Sequence, residues 1–234
     1  MLRRNILGRA LLLALGILAP SAAQAQWNLS ADWSTVSNPN GAWVLGQRGS
    51  LLSTGLSAFW SSTTMYGWAS RWDGGDYYPY AGKNMATDTR TASSLGAVPS
   101  GQVFMHPTAW GDYTIARWVA PTSGSYVISS LFTGLDRYGT STDVHVLLDG
   151  TALFGAFVDG YQVTQGYDAT LALLAGDKLD FAVGYGDNYN YYNDTTGLDV
   201  TISNAVVATP EPASLILVTS GLLAVGGVAR RRRR

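Results

Sequence analysis

The 234-residue chain contains no cysteine, which excludes a disulfide framework, a thiolate metal site and a cysteine nucleophile. Glutamate is nearly absent too: fifteen of the sixteen acidic residues are Asp, and the single Glu is Glu211. That removes the EF-hand, whose loop closes on a bidentate Glu, and the His-Glu-x-x-His helix of metalloproteases. Charge of any kind is scarce, at 13% of residues, so neither a coiled coil nor an acidic disordered chain fits. A formal net charge of −1 gives no electrostatic footprint for nucleic acid. The Gly-x-Ser-x-Gly elbow and the phosphate-binding glycine loop are missing. What the chain has instead is apolar and aromatic: 47% hydrophobic residues, 27 glycines and eight Trp among its many rings.

The few charges are sorted by position. Arg3, Arg4 and Arg9 open the chain, and Arg230, Arg231, Arg232, Arg233 and Arg234 close it. The body between them carries seven basic residues against fifteen Asp, a net charge of −8. Residues 1–25 read as a signal peptide: a basic start, an apolar run over 10–19, Pro20, and then small residues at Ala23 and Ala25 that a signal peptidase accepts. Cleavage after Ala25 would leave Gln26 as the mature N-terminus. The apolar run spans only about half of a hydrocarbon core, too little for an anchor.

At the other end Pro210, Glu211 and Pro212 precede an uncharged stretch, 213–229, and then the arginine cluster. As a helix that stretch reaches about 26 Å, the short limit for a single transmembrane span. The arginines stay on the cytoplasmic side, so the acidic body is placed across the membrane. This tail, 210–234, resembles the PEP-CTERM sorting signal, in which a Pro-Glu-Pro motif, an apolar helix and a terminal Arg cluster follow in that order. The resemblance implies recognition and removal of the tail by a membrane-embedded exosortase, in Gram-negative bacteria that make exopolysaccharide. The expected destination is the cell surface or the extracellular matrix.

The body lacks helical periodicity and shows period-two alternation between turn signals. In 143–148 (DVHVLL), Val144, Val146 and Leu148 share a face, and Asp149-Gly150 then predicts a hairpin returning through 152–158. Leu179, Phe181 and Val183 alternate after an Ala-Gly-Asp turn at 175–177, and Leu198, Val200 and Ile202 repeat the pattern. Strands are also expected at 113–119 and 125–132, about ten in all, whereas 61–100 reads as long loops. The expected fold is all-β, an antiparallel β-sandwich of jelly-roll type over 26–204, with 205–209 as a spacer before the tail. The motifs NPNGAW (38–43), RWVAP (117–121), DVHV (143–146), AGDKLDF (175–181) and TGLD (196–199) resemble those of uncharacterised β-sandwich domains in exported bacterial proteins of this sorting class. Similar sandwiches serve as carbohydrate-binding modules, an analogy at the level of fold alone.

Two aromatic clusters are candidates for polysaccharide contact, because ring faces stack on sugar faces. One is Trp68, Trp72, Tyr77 and Tyr78, with Tyr80 beside it. The other is Tyr185, Tyr189, Tyr191 and Tyr192, threaded with Asp and Asn. Either could instead cap the sandwich, and Trp43, Trp110 and Trp118 read as core. The oxygens of Asp187, Asn190, Asp194 and Asp199 suit calcium, although Asp and Asn are equally ordinary turn formers. His145 shares a strand face with Asp143, and His106, before Pro107, marks a strand end. No catalytic residue stands out. A polysaccharide hydrolase using paired Asp carboxylates is the alternative to a non-catalytic binding or structural protein.

Overall fold

The computed structural model describes residues 26–51, 55–59, 61–62, 67–69, 79–91 and 96–205. The segments expected to be a signal peptide (1–25) and a sorting tail with a transmembrane helix (210–234), together with Trp72, Tyr77 and Tyr78, lie outside these residues. Among the described residues the secondary structure is entirely β, and no helix is long and apolar enough to cross a membrane.

Two antiparallel sheets face each other. The larger has the order β14 (Thr164–Leu173), β11 (Gly124–Gly134), β16 (Thr196–Asn204), β9 (Val103–His106), β6 (Tyr80–Lys83), β5 (Gly67–Ala69) and β4 (Ser61–Ser62). Strand β1 (Gln26–Asn28) shares one edge of β16 with β9: Thr196 to Leu198 pair with β9, while Thr201 to Ser203 pair with β1. The smaller sheet has the order β13 (Thr151–Asp159), β12 (Ser141–Leu148), β15 (Lys178–Val183), β10 (Tyr113–Val119), β2 (Trp43–Arg48) and β3 (Ser57–Ala58). A separate pair joins β7 (Arg90–Thr91) to β8 (Ala97–Val98). From β9 onward the chain changes sheet at every connection except the β12–β13 hairpin, where Asp149 and Gly150 both adopt positive φ (48° and 84°).

The core follows from alternation. In β11, Tyr126, Ile128, Ser130 and Phe132 point inward while Val127, Ser129 and Leu131 face water. Facing them across the sandwich are Trp118, Val146, Leu179 and Phe181. Trp27, Trp118 and Tyr126 close one end with ring centroids 5.1 to 5.8 Å apart, and the Tyr126 hydroxyl donates to the Thr122 carbonyl at 2.7 Å.

The outer face of the smaller sheet is also partly buried. Ile115, Leu147 and Ala182 form a second apolar cluster beneath Leu51 and Leu56. In the same layer Asp180 accepts from Arg117 Nε and Nη2 (2.6 and 2.9 Å) and from Arg48 Nη1 (2.8 Å), all three residues buried. β3 lies so close to β2 that a Cβ at Gly46 would sit 2.5 Å from the Ser57 carbonyl oxygen.

Two expectations are corrected. The stretch 61–100 contributes β4 to β8, with β6 paired to β9 along its length and to β5 over Tyr80 to Gly82. Trp43 and Trp118 are core, but Trp110 is 62% exposed, because the turn at 108–112 lifts it off the sandwich.

Candidate polysaccharide-binding rim

The topology gathers the loops 107–112, 135–140, 160–163 and 184–195 at one end of the sandwich, and β6 begins there at Tyr80, opposite His106. All exposed aromatic rings among the described residues lie at this end: Trp110, Tyr138, Phe157, Tyr161, Tyr189 and Tyr192. The opposite end, around 120–124, 149–150 and 174–177, presents Leu174 and no exposed ring.

Local chemistry fixes these rings. The Thr108 hydroxyl accepts from the backbone N–H of Trp110 and of Asp112 (2.9 and 3.1 Å), forming the turn that displays Trp110. Gly111, at φ +86°, packs under Tyr185, whose hydroxyl oxygen would lie 2.8 Å from a Cβ there. Tyr185 and Tyr189 then approach to 5.7 Å. Asn188 accepts from Asn190 N–H, and Asn190 accepts from Tyr192 N–H, so consecutive Asx turns hold Tyr189 and Tyr192 outward. Tyr191 points the other way, at 8% exposure, stacked on Tyr192 at 4.4 Å and edge-on to His106 at 6.2 Å. His106 in turn stacks flat on Tyr80 at 5.0 Å. Tyr80 and Tyr191, far apart in sequence, therefore both lie against His106, a convergence that no local pattern displays. Trp68 lies in β5, in register with Ala81; its side chain, with Trp72, Tyr77 and Tyr78, is outside what is described.

Beside the rings is an open pocket of about 230 Å³ lined by Ser141, Phe157, Asp159, Asp187 and Asn188. Asn188 reaches across it to donate to the Ser141 hydroxyl at 2.7 Å. Next to it on the outer sheet face, Asp143 accepts from the Tyr113 hydroxyl (2.7 Å), from His145 Nε2 (2.8 Å) and from Gly186 N–H (2.9 Å). Burial alone would raise this carboxyl, but the bonds from His145, Tyr113 and Gly186 hold it below the ordinary value. Burial, with the bond to Asp143, pushes Tyr113 above its ordinary value. Gly155 stands opposite His145, and a Cβ there would be 2.9 Å from the ring Nδ1.

The expected calcium quartet does not converge. Asp187 lines the pocket, Asn190 spends its oxygen on a turn, and Asp194 is fully buried, accepting from Ser141 N–H and Oγ (2.9 and 3.1 Å). Asp199 lies four residues into β16 and opposite Leu131, which carries it to the outer face of the larger sheet, where Gln102 donates to it at 3.3 Å. Among the described residues, no three acidic or histidine side chains gather as a metal cluster. Burial pushes the Asp194 carboxyl up to about 7, opposed by the bonds from Ser141 and reinforced by the charges of Asp136 and Asp143.

The sequence matches no family model and no curated protein. Partial structural likenesses exist. One is to a GH26-CBM35 β-(1,4)-mannanase of Podospora anserina, at 16% identity over 56% of this chain and 29% of that one (TM-score 0.33). A second is to a family 35 carbohydrate-binding module of Clostridium thermocellum, at 12% identity over 54% of this chain and 98% of that one (TM-score 0.31). A third is to a CBM51 from a Clostridium perfringens GH95 in complex with methyl-galactose, at 15% identity over 52% and 86% (TM-score 0.35). The chain thus spans less than a third of the mannanase, and at this level of superposition the likenesses add no weight to what the residues show.

Proposed function

We propose that this chain is an exported, non-catalytic protein of the cell surface or exopolysaccharide matrix, and that its loop end binds polysaccharide. The observation that carries the binding is the segregation of every exposed aromatic ring among the described residues to one end, beside a pocket of Asp, Asn and Ser. Rings stack on the apolar faces of sugars while the polar groups take up their hydroxyls. Export rests on the signal-peptide features of 1–25, and sorting on the resemblance of 210–234 to exosortase substrates, with signal peptidase and exosortase as partners in processing.

Hydrolysis by paired Asp carboxylates is the weaker reading. It requires a protonated carboxyl at the glycosidic oxygen. The raised carboxyl at this end, Asp194, is fully buried and offers no surface to a substrate.

A glycan array with the purified protein tests the reading. We expect binding to one polysaccharide class, weakened about ten-fold or more by Trp110→Ala or Tyr189→Ala, the size of change expected when a stacking anchor is lost. Val36→Ala, exposed elsewhere, should leave binding unchanged. Absence of any bound glycan would overturn it. For the route, intact-mass analysis from a host with an exosortase should give a product beginning at Gln26 and lacking 213–234; a chain retaining the arginine cluster would exclude tail removal.

A further inference from the structure

Where the segment 135–141 meets 194–196, three buried oxygens have no hydrogen-bond partner: Oδ1 of Asp136, Oδ2 of Asp194 and Oγ1 of Thr195. Each of these residues is fully buried. The two segments are tightly joined. Leu135 N–H donates to the Thr195 carbonyl (3.0 Å), Thr195 N–H to Asp136 Oδ2 (2.9 Å), and Ser141 N–H and Oγ to Asp194 Oδ1 (2.9 and 3.1 Å). Each carboxylate therefore uses one oxygen to hold the junction together and leaves the other bare. Among the described residues no ion pair involves either carboxylate, and Arg137, the neighbour of Asp136, is exposed.

Buried charges persist in proteins when they are paired or coordinate a metal, and a bare buried oxygen calls for a partner, whether water or an ion. We propose that this junction is a site for one divalent cation, held by Asp136, Asp194 and Thr195. The donors are two carboxylates and a hydroxyl, hard oxygens with no nitrogen or sulfur among them, which select calcium over zinc. Two carboxylates balance the ion's charge, and backbone carbonyls and water complete the six to eight ligands that calcium takes. The ion would pin the 135–140 loop, which carries Tyr138, to the 184–195 loop, which carries Tyr189 and Tyr192. It would so brace the rim from beneath without touching a bound glycan. Asp187, Asn190 and Asp199 have no part in it.

The test uses the full-length chain, stripped with a chelator and titrated with calcium while melting temperature is followed and bound ions are counted by native mass spectrometry. We expect one calcium per chain and a chelator-reversible rise of about 5 °C or more at saturation. Asp136→Asn and Asp194→Asn should each abolish the rise, whereas Asp187→Asn and Asp199→Asn should keep it. If the two junction variants fail to fold, the stoichiometry of the native chain decides alone. Failure of the stripped chain to bind calcium at millimolar concentration, or a rise that survives in both junction variants, overturns the site. Neither result depends on glycan binding, so the site and the rim stand or fall separately.

Discussion

Asp180 shows how much one side chain can hold. It is 1% exposed and accepts three charge-assisted bonds from Arg48 and Arg117, on a face that ordinary sandwiches leave to solvent. Removing the anion strands two guanidinium groups beneath Leu51 and Leu56, so Asp180→Ala should cost about 3–5 kcal/mol in urea denaturation. Arg48→Met should cost less, since the two-bond contact between Arg117 and Asp180 survives. A variant losing under 1 kcal/mol at position 180 would show that the triad is solvated. Asp143 gives a pH signature. The bonds from His145, Tyr113 and Gly186 hold its folded-state pKa below the ordinary carboxylate value, so the unfolded chain binds the extra proton as acid is added. The stabilisation is complete above that value and is lost as the pH falls through the lower, folded-state pKa. Wild type should therefore exceed Asp143→Asn in thermal melts at pH 7, lose that advantage progressively below about pH 4, and converge on the variant only below the folded-state pKa. A stability difference that stays constant with pH would show that the carboxylate charge is irrelevant to the cluster formed with Tyr113, His145 and Gly186.

At the scale of elements, the rim depends on how closely its loops pass. Gly134 ends β11; its N–H donates to the Val163 carbonyl and its carbonyl accepts from Gln162 N–H. A Cβ there would overlap the Gly160 carbonyl oxygen and press on Thr140 at 3.0 Å. Because the obstacle is backbone, Gly134→Ala should destabilise by about 1–3 kcal/mol or more in denaturant. Gly139→Ala, in open space but at φ +104°, isolates conformational strain from steric clash. The long elements were legible because their inward residues alternate: 113–119 and 143–148 match β10 and the greater part of β12, and Asp149-Gly150 is the hairpin expected. β4, β5, β7 and β8 are two or three residues long, too short to show any period, so 61–100 read as loop. β14 is a different case: as an edge strand it leaves Thr164, Gly166, Asp168 and Thr170 in water, and its inward set Tyr167, Ala169, Leu171 and Leu173 is only half-buried until Leu173. In the site, the second tyrosine cluster was visible but the inward turn of Tyr191 was not, because that depends on His106 from another strand. Trp110 was misread for want of the Thr108 turn. Asp136 gave no signal at all, being one Asp among fifteen until the fold buries it against Thr195.

At the scale of the whole molecule, the body carries net charge −8, and the rim takes its share of it. Asp159 and Asp187 are exposed in the pocket and Asp112 is half-buried nearby, while Arg137 is the exposed cation of the described rim loops. A polyuronate approaching this end meets like charge within a Debye length, whereas a neutral glycan meets none and a partly deacetylated amino-sugar polymer meets attraction. Ring faces add to the last case, because ammonium groups are also drawn to them. The expected order in calcium-free buffer is therefore amino-sugar polymer, then neutral glucan or mannan, then polyuronate. Raising salt from 0.05 to about 0.5 M should weaken the first several-fold, leave the second unchanged, and do little for the third. Asp159→Asn combined with Asp187→Asn should remove the salt dependence without moving the melting temperature, since neither side chain is buried. Tight calcium-free binding of polyuronate would mean that the recognising surface is not this rim, whose exposed Asp159 and Asp187 enter no ion pair among the described residues.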